Sequence, residues 1–241
     1  MLSLTLDPPF CAGVASGPAE AGDRRPRYAP CLSHSSASHR RLFFSLNIGL
    51  KALFVGLLAF GAFSGLDQFD GKAFGWRLIV YPIAALIVPV IWRLRGRPQP
   101  YPYAADMLLV APFLVDVAGN ALDLYDTIVW WDDANHLVNW ALLSGALGAA
   151  LLRTRLTPLL LFCLVTGFGA ATAILWEIGE YFAFIRGGDE LATAYRDTLG
   201  DEILGLSGAT LAALAMAVVA RRRLGRAAAT SDPPAAASRV C

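Results

Sequence analysis

From residue 42 onward, long apolar runs alternate with short polar connections. Six such runs can be drawn, at 42–64, 76–92, 104–125, 133–152, 156–185 and 199–220. Most supply about the 20 residues that cross a hydrocarbon layer roughly 30 Å thick, and the second is shorter. Each is predicted to be a helix, because an isolated strand in lipid would leave its backbone N–H and C=O groups unpaired. Trp76, Trp92, Tyr101, Tyr103, Tyr125, Trp130, Trp131 and Tyr181 fall near run ends. Amphipathic rings favour that position at a membrane interface. The expectation is an all-α polytopic bundle of about six transmembrane helices.

Composition agrees with the pattern. The 241 residues are 56% hydrophobic and 16% charged, with a mean hydropathy of +0.51; soluble domains carry roughly 25% charge. The formal net charge of +1 gives no electrostatic footprint for nucleic acid. The distribution of charge says more. Arg24, Arg25, Arg27, Arg40, Arg41, Arg93, Arg95, Arg97, Arg153, Arg155, Arg221, Arg222, Arg223 and Arg226 lie on one set of connections. Lys72, Arg77, Arg186 and Arg196 lie on the other. Fourteen against four predicts both termini in the cytoplasm and the protein in the cell (inner or plasma) membrane.

Residues 1–41 are rich in Pro, Ser, Gly and Arg and lack a long apolar core, which predicts a disordered cytoplasmic tail rather than a signal peptide. Residues 42–221 then form the transmembrane domain, and 222–241 a second cytoplasmic tail. Cys11, Cys31, His34 and His39 have no zinc-motif spacing, and the four cysteines imply no disulfide framework.

A band of carboxylates follows the middle of the third run: Asp116, Asp123, Asp126, Asp132, Asp133, Glu177, Glu180, Asp197, Asp201 and Glu202, with His136 among them. Ionisable groups inside or at the rim of a lipid-embedded bundle are costly unless paired, so each is a candidate functional residue. Asp116, Asn120 and Asp123 stand at i, i+4 and i+7, one face of a helix. Asp116 lies near mid-span, where it is either a proton or cation site or a polar tie between helices. Asp132 and Asp133 precede His136 by four and three residues. They can cap a helix, but capping does not explain the imidazole, which can bind a metal or relay a proton near pH 7. Glu177 and Glu180 are i, i+3 neighbours that repel unless a proton or cation lies between them; otherwise Glu177 pairs with Arg186 or Arg196. Thr198 and Asp201 read as a capping box before the sixth run, and Gly205, Gly208, Ala209 and Ala212 behind them form a small-residue face for close packing.

Asp123, Asp133, His136, Glu177, Glu180, Asp197 and Asp201 are therefore expected to converge at the outer face, with Asp132 beside them. Asp116 and Asn120 lie deeper. His136, Asp133, Glu177, Glu180 and Asp201 offer mixed nitrogen and oxygen ligands that suit Zn, Mn or Fe. Without a metal, the set would hold shared protons or a lipid ammonium.

Enzyme templates fit poorly. One histidine in the apolar runs is too few for a helical di-iron centre. Neither a His-Glu-x-x-His motif nor a phosphate-cradling loop is present. Gly205-Leu206-Ser207-Gly208 matches the Gly-x-Ser-Gly of rhomboid intramembrane proteases, but Ser207 lies roughly 13 Å into its run and His136 about 6 Å into its own.

The blocks Asp116-x3-Asn120-x2-Asp123, Trp131-Asp132-Asp133-x2-His136, Glu177-x2-Glu180 and Tyr195-Arg196-Asp197-Thr198-Leu199-Gly200-Asp201 resemble the YjdF-like bacterial inner-membrane proteins, and more distantly the VanZ-like family. The resemblance spans roughly residues 105–220. It implies a cell-envelope membrane protein without a settled activity; the VanZ-like association is with glycopeptide resistance. The VanZ-like pattern has Asn and Gly in its last helix where this chain has residues 202–207. The leading expectation is an outer-face acidic and histidine pocket that binds a lipid headgroup or a divalent metal. The alternatives are a proton- or cation-coupled transporter using Asp116, and a structural or assembly subunit whose acids only pair helices.

Overall fold

A computed structural model describes residues 34–183 and 185–231. Among these the chain is helical and contains no strand. The helices are α1 (His34–Phe63), α2 (Phe74–Val80), α3 (Pro82–Leu94), α4 (Tyr103–Ala121), α5 (Leu124–Thr127), α6 (Trp131–Leu151), α7 (Pro158–Ala183) and α8 (Ala194–Ser231). The chain divides into two compact units, through Leu46 and from Asn47. The first contributes only the start of α1 among the described residues.

Among the described residues, five helical stretches are long and apolar enough to cross a membrane: Ser38–Phe63, Phe74–Leu94, Tyr103–Ala121, Pro158–Gly187 and Ala194–Ala227. The sequence pattern gave six. The difference is α6, which has 21 residues, about 31 Å at 1.5 Å per residue. Its opening turns hold Asp132, Asp133, Asn135, His136 and Asn139. Length is present there, but uniform apolarity is not.

The boundaries moved for physical reasons. Helix α1 already runs from His34 and α8 continues to Ser231, so neither tail boundary, at 41 or at 222, coincides with an element end. The remainder of both tails, with Cys11, Cys31 and Cys241, lies outside the described residues. The second run is broken between α2 and α3, where Pro82 lacks the N–H needed to continue the helix and starts a new one instead. The third run stops at Ala121, because Asp123 takes a left-handed φ of 57°. Asp123 therefore does not continue the Asp116–Asn120 face.

One core joins α1 to α4: Phe54 and Leu58 meet Phe69, Phe74, Tyr81, Ala85, Val110 and Val117. Phe69 and Phe74 stack edge to face with centroids 4.7 Å apart, and Tyr81 and Phe113 do so at 5.0 Å. The other half is tighter, with α6, α7 and α8 packed on small residues. A Cβ added at Gly208 would fall 2.1 Å from the Leu137 carbonyl oxygen, and one at Gly169 would fall 2.2 Å from the Ala209 Cβ. The backbones of α6 and α8 thus approach as closely as glycine allows.

Contacts between connections order the two ends. Lys72 pairs with Asp126, and the Gln68 side-chain amide donates to the terminal α4 carbonyls of Asn120 and Ala121, both at 3.0 Å. At the opposite end Arg153 donates to the Pro100 carbonyl, and Arg223 donates to that of Leu152 at 3.3 Å. Following the chain between these ends brings the start of α6, the end of α7 and the start of α8 together, away from the arginine-rich connections.

Candidate functional site

That junction is where His136 sits. It occupies the second turn of α6 and is only 7% exposed. Its Nδ1 lies 3.7 Å from Glu177 Oε1 on α7. Its Nε2 lies 3.8 Å from Asp201 Oδ1 on α8 and 4.0 Å from Asp132 Oδ1, one turn earlier on α6. Each distance exceeds hydrogen-bond length. Nδ1 is buried without a hydrogen-bond partner. Two groups of ligand atoms therefore share one imidazole: Asp132, His136 and Asp201, and His136, Glu177 and Glu180. Within each, the atoms lie within 4.8 Å of one another.

Local structure explains the convergence. Asp132 and His136 are i, i+4 on α6, while Glu177 and Glu180 are i, i+3 on α7. Helix α8 begins at Ala194, so Thr198 and Asp201 lie inside it. The capping-box reading therefore fails, and Asp201 is buried facing the imidazole instead of closing a helix end. Asp197 does lie in the first turn of α8, where a negative charge meets the helix dipole. Behind the site, a Cβ on Gly205 would fall 2.7 Å from the Trp140 ring. The spacing of the three helices is set by these small residues.

The other predicted site residues are placed differently. Asp133, expected among the ligands, is exposed and outside both ligand groups. One residue further along α6 turns it about 100° from Asp132, which takes its place. Asp197 is likewise exposed, and Asp123 accepts the Thr127 hydroxyl on its backbone carbonyl at 2.5 Å. Glu177 has its ion-pair geometry with His136 and not with an arginine, while the Arg186 guanidinium lies over the Phe182 ring. Ser207 is exposed and donates to the Ile203 carbonyl of its own helix at 2.7 Å, so it is no partner for His136.

Asp116 belongs to a second, closed cluster. Arg77 Nη1 donates to its Oδ2 at 2.6 Å, and the Tyr81 hydroxyl donates to the same oxygen at 3.0 Å. Tyr125 donates to Oδ1 at 2.9 Å and Asn120 Nδ2 to Oδ1 at 3.4 Å. Arg77, expected on a connection, is in fact one turn inside α2. Arg77 in α2 and Tyr81 at its C-cap are i and i+4, one helical face, and both reach Asp116 on α4. Burial, followed by the Asp116 carboxylate, holds the Tyr125 hydroxyl well above the usual tyrosine range. The charge of Asp132 adds to this, which makes the two clusters electrostatic neighbours.

A third cluster was not anticipated. Asp106, 0% exposed, accepts on one oxygen from Lys51 at 2.7 Å, Asn47 at 3.1 Å and the Tyr101 hydroxyl at 2.6 Å. Lys51 also donates to the Ala85 carbonyl at 2.9 Å. Burial and the bond to Asp106 push the Tyr101 hydroxyl up. The signal was present: Lys51 lies in the middle of the first apolar run, and Asp106 three residues into the third.

The fold thus defines a multi-pass helical membrane protein with a histidine–carboxylate cluster at one end of the bundle. Residues 49–222 match the family described as "Predicted membrane protein (DUF2238)", and the chain belongs to it. No curated protein and no solved structure matches the chain.

Proposed function

We propose that the His136 cluster is a cation site at the outer face of the cell membrane, built for a divalent metal and open to a lipid headgroup. The observation that carries this reading is the imidazole itself: it is buried, its Nδ1 is unpartnered, and carboxylates flank both nitrogens. Four carboxylates around one neutral ring call for positive charge. Nε2, Asp132 and Asp201 would take the ion, and Asp132, being exposed, leaves one side accessible. Nδ1–H would then donate to Glu177, the carboxylate–histidine arrangement that fixes the ring and raises its basicity. Ligand separations of 3.8 and 4.0 Å close around an ion about 2.0–2.2 Å from each atom with small side-chain rotations. The mixed nitrogen and oxygen set suits Zn, Mn or Fe.

The test is elemental analysis and calorimetric titration of the purified protein with Zn and Mn. One ion per chain is expected, lost in His136→Ala and Asp201→Asn and kept in Asp123→Asn and Asp197→Asn. Absence of stoichiometric binding overturns the reading. The supporting topology has six crossings, α6 being the fourth, with both termini cytoplasmic. Reporter fusions after Arg97 and Arg155 should read cytoplasmic, and those after Phe69 and Gly188 external. The YjdF-like and VanZ-like resemblances support placement in the envelope.

The pairing of Asp116 favours a structural role for that residue. A carrier using it as a proton or cation site would first have to release it from Arg77 and two tyrosine hydroxyls. Asp116→Asn separates the two: a carrier loses coupled transport, whereas cation binding at His136 persists.

A further inference from the structure

A cleft of about 320 Å³ opens beside the cation site, lined by Tyr181, Ala194, Tyr195, Thr198, Leu199 and Glu202. It lies between the end of α7 and the start of α8. In its wall Thr198 lies beside the Glu177 carboxylate, so the cleft leads to the residue that faces the unpartnered His136 Nδ1. Its rim is not packed against protein. Tyr195 is 84% exposed, and Leu199 and Tyr181 are exposed beside it. On two membrane-crossing helices, such a surface faces lipid at the depth where tyrosine rings favour the interface.

We propose that this cleft receives the ammonium group of a membrane lipid headgroup, bringing an aminophospholipid laterally against the cation site. Charge complementarity carries the assignment. Glu202 lines the cleft, Glu177 lies behind it, and the acids Asp132, Glu180, Asp197 and Asp201 are nearby, so that they outnumber Arg196, the exposed cation beside Tyr195. One divalent ion among Asp132, His136 and Asp201 leaves Glu177, Glu180 and Glu202 without a counter-ion of their own, which a second, monovalent cation would supply. Tyr181 and Tyr195 supply ring faces to which an ammonium group is attracted. The exposed apolar rim places the acyl chains in the bilayer, without leaving the membrane.

This inference rests on the reading of the cluster as a cation site, and the experiment separates the two. Full-length protein in mild detergent is incubated with equal amounts of phosphatidylethanolamine and phosphatidylglycerol, and retained lipid is counted by native mass spectrometry. The same samples are analysed for metal. Wild type should retain the amine lipid over phosphatidylglycerol by about fivefold. N-acetylated phosphatidylethanolamine, which lacks the positive charge, should show no such preference. Glu202→Gln should abolish the preference and Tyr195→Ala reduce it, both with unchanged metal content; Tyr195 is too exposed for its loss to unfold the chain. Intact metal with no amine preference, or a preference that survives Glu202→Gln, overturns the cleft assignment alone. A chain that takes up no metal overturns the site on which it rests.

Discussion

Asp106 and His136 are both buried, yet their surroundings have opposite chemistry. Asp106 has its counter-charge built in: Lys51, Asn47 and Tyr101 all donate to one oxygen of its carboxylate, while the other oxygen is buried without a hydrogen-bond partner. Asp116 repeats the scheme with Arg77, Tyr81 and Tyr125. Around His136 the acids outnumber the bases, every nitrogen–oxygen distance exceeds 3.5 Å, and Nδ1 has no partner. An ion pair with its counter-charge built in ties helices together in a low-dielectric bundle and has little net charge left to attract a cation. An unclosed carboxylate cluster gives up that stabilisation and keeps the capacity to take a cation. The closed pairs belong to the half packed on large aromatic and aliphatic side chains. The open cluster belongs to the half packed on glycine and alanine, where three helix backbones come close enough to bring four acids to one ring.

The contrast can be broken most strongly at Asp106. Asp106→Leu leaves the half-buried Lys51 without its counter-charge and should cost about 3 kcal/mol, read as thermal unfolding in detergent. Adding Lys51→Met should recover most of that loss; a double variant as unstable as the single would show that the pair is not what Asp106 contributes. Arg77→Met should cost about 2 kcal/mol, less because the acid of that pair, Asp116, is not fully buried as Asp106 is. Gly208→Ala attacks the close approach itself. Its Cβ would meet the Leu137 carbonyl, and a cost of about 1–3 kcal/mol is expected, with Gly179→Ala, which meets nothing, as the control.

His136→Gln, which keeps most of the buried volume, should change the stability of the metal-free protein by less than about 1 kcal/mol, because no hydrogen bond is lost from Nδ1. The same variant should lose the stabilisation that a saturating divalent ion confers on wild type, about 2.7 kcal/mol at a hundredfold excess over Kd. The smallest effect is at the exposed Lys72–Asp126 pair. The hydrogen bond from Lys72 holds the Asp126 carboxyl below its ordinary value. Its contribution is therefore complete above the ordinary carboxylate range, near pH 4, and is lost as pH falls through the lowered value. Acid titration of wild type against Lys72→Met should differ only in that window, by under about 0.5 kcal/mol, since both side chains reach solvent.

Sequence alone determined the class of protein and the order of its parts. Apolar runs of membrane length forced helices, because backbone groups in lipid have no other way to pair. Helical spacing already placed Asp132 with His136 and Glu177 with Glu180, since those relations are local. It also exposed the charged residues inside apolar runs, although Lys51 and Asp106 passed unremarked beside the denser band that follows. Tertiary structure decided everything that depends on which helices meet and at what rotation. It put the Asp132 carboxylate 4.0 Å from His136 Nε2, and left Asp133, one residue and about 100° further round, exposed near the ring but outside the ligand groups. It turned Asp201 from a presumed cap into a buried neighbour of the ring, because α8 starts a turn and more earlier than its apolar run. It gave Asp116 to an arginine that the sequence had assigned to a connection. The periodicity of one helix fixes which residues share a face. Only the packing of several helices, set here by where glycine lets them touch, fixes what that face meets.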